Sequence, residues 1–196
     1  DMSELQTVQS LDRLLGHPDN QETDALTDQI RKQPFSIVLL DEFEKAHENV
    51  WDLFLQVFDD GQLTDRRGRK ASFHHAIIIL TANLGATIPT GLSIGFGGGP
   101  KRFDEQEVHR AVEKSFRREF INRLDRVVVF RPLDKSLMRL ILRKELGEVF
   151  DRRGLKGRSW AVEWDEPAIS FLIEKGFTPD LGARPLKRAV ERYLLT

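Results

Sequence analysis

The chain has 196 residues, 40% of them hydrophobic, with 30 Lys+Arg set against 31 Asp+Glu and no cysteine. That length and apolar fraction support a packed core of one domain or one and a half and exclude a disordered chain or a small disulfide scaffold, while the missing thiols exclude cysteine nucleophiles and Cys-ligated zinc. The formal net charge of −1 conceals an asymmetry, because residues 1–60 hold 4 basic and 14 acidic side chains and the remainder 26 and 17.

No run of eighteen apolar residues occurs, and Asp1-Met2-Ser3-Glu4 has neither the basic start nor the apolar stretch of a secretion signal. A soluble, cytoplasmic chain with no membrane partner is therefore expected. The histidines His17, His47, His74, His75 and His109 show no zinc spacing.

In chain order, Phe35 and the run Ile37-Val38-Leu39-Leu40 do not alternate with polar residues and predict a strand buried on both faces, as in parallel sheets. Val50, Leu53, Phe54, Val57 and Phe58 recur at helical spacing and predict a helix ending near Gly61. The turn signals Asp60-Gly61 and Arg67-Gly68 predict a projecting hairpin between Asp59 and Ser72, followed by a second buried strand, Ala76–Leu80. Residues 84–103 carry Gly85, Gly91, Gly95, Gly97, Gly98 and Gly99 with two prolines, and are expected to form the longest and most mobile loop. A helix over about 104–119 precedes a third apolar strand, Val127–Phe130, which stops before Pro132. Asp134 then caps a helix whose stripe Met138, Ile141, Leu142, Val149 and Phe150 packs inward until Gly154 and Gly157 break it. Trp160, Val162 and Trp164 alternate as on one face of a short strand, and helices over about 165–175 and 182–194 complete the chain. The boundary falls near Pro132. It separates an α/β part, residues 1–132, from a helical part, residues 133–196.

The residue pair richest in chemical meaning is Asp41-Glu42, at the carboxyl end of the first strand, where open parallel sheets present their ligand crevice. There a phosphate-binding NTPase places one carboxylate for Mg²⁺ and another to polarise the attacking water, although two solvated acids would look the same. Thr81-Ala82-Asn83 ends the second strand, so adjacency of the strands would bring an amide beside those carboxylates; an isolated Asn is otherwise a turn residue. Arg123, in Asn122-Arg123-Leu124-Asp125, and Arg184, in Gly182-Ala183-Arg184, stand at element ends. Their planar forks suit a developing phosphoryl charge, and equally a surface ion pair.

Taken in order, the strings IVLLDEFEKAH, DDGQLTDRRGR, LTANLGA, FRREFINRLDRVVVFRPL and LGARPLKRAV resemble the second AAA+ module of the Clp/Hsp100 protein-unfolding ATPases over nearly the whole chain. The resemblance implies a P-loop NTPase-type parallel sheet followed by a helical lid, and an ATP-dependent unfoldase or disaggregase that threads polypeptide through a hexameric homo-oligomeric ring. It implies ATP and Mg²⁺ as cofactors, with Asp41 as the Mg²⁺ carboxylate of a Walker B pair and Glu42 as the residue that activates water. Asn83 matches the sensor 1 residue that holds that water, Arg123 the arginine finger reaching a neighbouring subunit's nucleotide, and Arg184 the sensor 2 residue of the lid. Ile94-Gly95-Phe96 is similar to the tripeptide by which some members dock onto a ClpP-type peptidase. The basic turn Arg66-Arg67-Gly68-Arg69 occupies a hairpin that in the family faces the central pore.

The sequence departs from the family in three places. Arg118 stands where many relatives have proline, and no aromatic pore-loop residue follows Gly16-His17-Pro18-Asp19-Asn20. The Walker A pattern is not in the sequence either, so these residues alone are expected not to hydrolyse ATP well. Two alternatives stay open: a non-hydrolysing AAA+ assembly module, and an AAA+ motor acting on nucleic acid. The second is disfavoured because the basic turn has only Phe73 beside it for stacking on bases.

Overall fold

Four aliphatic residues, Ile37–Leu40, form strand β1, which pairs in parallel with Ile77–Leu80 in the register Ile37 to Ile77 and Leu40 to Leu80. The computed structural model describes residues 1–17, 25–84, 103–150, 163–178 and 182–194, without the side chains of Lys135 and Phe150. It divides the chain into two units, Asp1–Val129 and Phe130–Thr196. The first unit runs α1 (Asp12–Leu15), α2 (Leu26–Lys32), β1, α3 (Glu48–Asp60), β2 (Gln62–Thr64), β3 (Lys70–Ser72), β4 (Ile77–Leu80), α4 (Glu105–Ser115) and α5 (Arg118–Ile121). Strands β2 and β3 are an antiparallel hairpin, Leu63 opposite Ala71.

Helix α3 follows its apolar period. Val50, Phe54 and Val57 are buried, Leu53 and Phe58 pack beside them, and Gly61 ends the helix at φ 63, its amide donating to the Val57 carbonyl (2.9 Å). A side chain at that left-handed φ would be strained and would also meet the His74 ring, 2.1 Å from where a Cβ would sit. Asp60-Gly61 is thus a helix cap and not the hairpin's turn; the turn lies at residues 65–69, where Gly68 takes φ 76.

The sheet differs from the expectation of burial on both faces. Val38 and Leu40 join the core that holds Phe43, Val50, Phe54, Leu63 and Phe120, while Ile37, Leu39, Ile77 and Ile79 on the opposite face are exposed. Among the described residues, no element covers that second face. Val127–Phe130 does not form the predicted third strand either: the run has no ladder partner among the described residues, and Phe130 is 90% exposed. Apolar composition favours extended backbone, but only a neighbouring edge makes it a strand.

The single helix predicted over 104–119 is two. Phe116 adopts an extended conformation (φ −116, ψ 146) between α4 and α5, and the break buries both Phe116 and Phe120 against Phe43. The Phe43 ring stacks on Phe120 at 5.3 Å and meets Phe54 edge-on at 5.8 Å.

The second unit is helical: α6 (Lys135–Phe150), α7 (Glu166–Gly176) and α8 (Arg184–Leu194). Asp134 caps α6 as expected, accepting from the Leu137 amide at 2.8 Å, and Asp165 caps α7 through the Ala168 amide at 2.9 Å. Met138, Leu142, Leu146 and Val149 of α6 form the core with Ile169, Leu172, Leu186 and Val190, so Leu146 belongs to the inward stripe as well. Gly176 lets α7 and α8 close, because a Cβ there would lie 2.7 Å from the Leu186 Cα. Gly154, Gly157, Trp160 and Val162 lie outside the described residues, as does nearly all of the glycine-rich loop. No helix among the described residues is long and apolar enough to cross a membrane.

Candidate nucleotide site

Because β1 and β4 are parallel neighbours in register, their carboxyl ends open side by side and bring Asp41-Glu42 against Thr81-Ala82-Asn83. Backbone bonds tie the two ends together: Thr81 donates to the Leu40 carbonyl (3.0 Å), and the Phe43 amide donates to the Thr81 carbonyl (2.9 Å). Glu42 itself is the sole non-glycine residue at positive φ among the described residues (φ 58, ψ 44). An extended strand would carry the Glu42 side chain to one face of the sheet; this left-handed step turns the chain instead, so that Phe43 enters the core and the carboxylate stays at the strand end.

The Glu42 carboxylate is held from two sides. Asn83 Nδ2 donates to Oε1 (3.3 Å), and Lys45 Nζ donates to Oε2 (2.6 Å). That bond to Glu42 raises the Lys45 pKa against the opposing effect of desolvation, so the ammonium is protonated across the physiological range. The Asn83 amide also donates to Glu44 Oε1 (3.2 Å), which fixes the residue's backbone. Sequence reasoning passed over Thr81 and Lys45. Thr81 Oγ1 accepts from the Glu42 amide (3.1 Å) and donates to Asp41 Oδ1, tying the Glu42 backbone and the Asp41 carboxylate to the end of β4. Thr81 directly follows β4 and Lys45 stands three residues after Glu42, and that proximity was the available signal.

A divalent cation fits this donor set in a limited way. Asp41 is exposed, and its Oδ2 has no protein partner among the described residues, leaving one hard oxygen free. Among the described residues no group of three or more His, Cys, Asp or Glu forms a protein cage for a metal. Mg²⁺ is typically held by one or two carboxylates together with phosphates and water, which matches a single available oxygen.

Arg123, at the end of α5, gives its Nε–H to Asp59 of α3 and one Nη1–H to the Glu119 carbonyl (2.9 Å). Arg184 is the exposed first residue of α8, in the second unit. Ile94, Gly95 and Phe96 lie outside the described residues.

The basic turn is not a row of solvated cations. Arg66 pairs with Asp12 (2.6 Å), Arg67 Nη2 donates to the His17 carbonyl (3.2 Å), and Arg69 pairs with Asp65 (2.9 Å) and Asp28 (3.0 Å). At the centre sits the Asp65 carboxylate, its side chain only 2% exposed. Burial pushes its pKa up, but bonds from the Arg69 and Arg67 amides and the Arg69 side chain, with Arg31 nearby, hold it below the usual carboxylate value.

Comparison with known proteins agrees with this architecture. Residues 1–127 match the family model described as AAA domain (Cdc48 subfamily), and residues 133–196 match that of the C-terminal, D2-small domain of ClpB protein. The chain is 42% identical to a probable ATP-dependent Clp protease ATP-binding subunit of Chlamydia pneumoniae, over 99% of this chain and 24% of that protein. It is 41% identical to the chaperone protein ClpB of Meiothermus ruber, over 100% of this chain and 23% of that protein. It therefore spans about a quarter of the length of the curated relatives it matches. Among solved structures it superposes on S. cerevisiae Hsp104 in its casein complex, extended conformation, with a TM-score of 0.83 and 32% identity, covering 100% of this chain and 34% of that one. With a parallel sheet whose strand ends carry the paired acids and the facing amide, a separate helical unit, and both units matched in order, the chain belongs to the AAA family, as a second module of the Clp/Hsp100 type.

Proposed function

We propose that this chain is the nucleotide-hydrolysing second module of an ATP-dependent protein unfoldase or disaggregase. The observation that supports this best is the convergence of the Asn83 amide and the Glu42 carboxylate, 3.3 Å apart, at the ends of adjacent parallel strands. In this reading Glu42 accepts a proton from the attacking water and Asn83 orients that water by its amide. Asp41, hydrogen-bonded by Thr81, is the residue that would hold Mg²⁺, whose charge would neutralise the phosphates of ATP. Arg123 serves the nucleotide of an adjoining subunit and Arg184 meets the phosphates from the helical unit; both roles rest on the family resemblance. Arginine fingers contribute about 10³ to 10⁵ in rate, so turnover requires the ring, a hexamer in this reading.

The substrates are unfolded or aggregated polypeptides in the cytoplasm. Supporting this, the Hsp104 structures it resembles are complexes with casein, and the relatives include both a chaperone and a protease subunit. The turn Arg66-Arg67-Gly68-Arg69 lies toward the substrate path, and Ile94-Gly95-Phe96 is the docking segment if a ClpP-type peptidase is a partner.

The test is ATP turnover by the full-length protein carrying Glu42→Gln. Loss of the proton acceptor should lower kcat by about 10² to 10⁴ while nucleotide binding persists. Turnover equal to that of the unaltered protein would remove Glu42 from the chemistry and favour a non-hydrolysing assembly module.

A further inference from the structure

Arg123 is not left to solvent. Its Nε–H is taken by Asp59 and one Nη1–H by the Glu119 carbonyl (2.9 Å), and the rest of its fork, Nη2 included, has no partner among the described residues. The Nε–H and Nη1–H point to different sides of the planar cation, so the two anchors fix its plane while leaving both hydrogens of Nη2 available. We propose that Asp59 is a positioning residue for Arg123, holding the guanidinium so that its unpaired Nη2 is presented to the nucleotide of an adjoining copy of this chain. The proposal rests on the arginine-finger reading of Arg123 given above.

Both anchors stand on fixed backbone. Asp59 lies in the last turn of α3, where Val57 is buried and the Gly61 cap is bonded to His74 (2.8 Å). Glu119 precedes the buried Phe120, which packs on Phe43, Phe58 and Phe116. The Phe58–Phe120 contact, 5.4 Å between centroids, joins α3 to α5 immediately beside the two anchors and sets their separation. The bond to Arg123 keeps Asp59 below the usual carboxylate pKa, so the anchor is charged at neutral pH.

Exposure makes the role separable from stability. The Arg123 and Asp59 side chains are 36% and 48% exposed, and pairs so open to water add little to folding. Sequestration of the finger would be the opposite reading, but it would also occupy Nη2, which has no partner among the described residues.

The experiment uses the full-length protein with Asp59→Ala, Asp59→Glu, Arg123→Ala and Glu42→Gln. Asp59→Ala should lower kcat about tenfold to a hundredfold, the scale of a misplaced catalytic group, with KM for ATP and the unfolding temperature unchanged, and Asp59→Glu should recover part of the loss. Mixed rings then distinguish a role in the neighbour's site from one in the subunit's own. A Glu42→Gln subunit has an intact Asp59–Arg123 pair and an Asp59→Ala subunit an intact Glu42, so mixing the two should give more turnover than either alone. Unchanged kcat in Asp59→Ala overturns the proposal, as does an impaired Asp59→Ala ring that mixing does not rescue. Normal turnover by Arg123→Ala would overturn the arginine-finger reading itself, a result distinct from both.

Discussion

Replacing Asp65 tests how the basic turn keeps its shape. Its Oδ1 accepts from the amides of Arg67 (2.9 Å) and Arg69 (2.8 Å), and its Oδ2 from Arg69 Nε (2.9 Å) and Arg31 Nη2 (2.9 Å). Asp65→Ala strips all of these acceptors from donors that remain in place. Each neutral bond is worth about 1 kcal/mol net and each charge-assisted one about 1.5 to 3, but Arg69 is half exposed and regains water. The net cost should be about 3 kcal/mol, in the range for breaking a buried pair. Asp65→Asn keeps one acceptor oxygen for the two amides and should cost roughly 2 kcal/mol. Urea unfolding followed by Trp51 fluorescence, with hydrogen exchange at the amides of Arg67 and Arg69, reads both values. The pH dependence has a definite sign: the folded carboxyl binds its proton more weakly than the unfolded one, whose ordinary pKa is 3.8, so the stabilisation is complete well above that value and is lost as pH falls through the lower folded value. Ala and Asn variants within about 0.5 kcal/mol of the unaltered chain, or an unchanged acid limb, would refute the reasoning.

Two further outcomes check the packing of each unit. Gly61→Ala places a methyl group at φ 63 against the His74 ring and should destabilise the first unit by about 1 to 3 kcal/mol, measured by thermal unfolding; a neutral result would mean that His74 moves aside freely. Leu142→Ala empties a fully buried position in the second unit and should cost about 2 to 5 kcal/mol, read by the fluorescence of Trp164, with little effect on amide protection in β1 and β4.

Periodicity made much of this legible. Helix α3, the capped α6 and the existence of strands β1 and β4 all follow from apolar spacing with a recognisable stop. What could not be read were relations between distant positions. The ion pairs of Arg66 and Arg69 were not legible, because their partners Asp12 and Asp28 are 54 and 41 residues away in sequence. Val127–Phe130 has the composition of β1 but lacks a neighbouring edge among the described residues, and composition does not encode neighbours. The break at Phe116 is also tertiary in origin, since helical propensity alone favours continuing through it. In the candidate site the acids and Asn83 were visible as strand-end residues, whereas Thr81, Lys45 and Asp59 act through geometry that only the folded chain supplies.

The ring cluster around Phe43 connects Glu42 with Arg123. Phe43 follows Glu42 directly, and the ring it stacks on, Phe120, stands three residues before Arg123. Close-packed aromatic rings transmit small displacements because there is no void to absorb them. The acid that a subunit would use for itself and the cation that it would lend are therefore two ends of one lever. On the proposed roles, a displacement at one of the two would be felt at the other through four packed rings, Phe43, Phe54, Phe116 and Phe120.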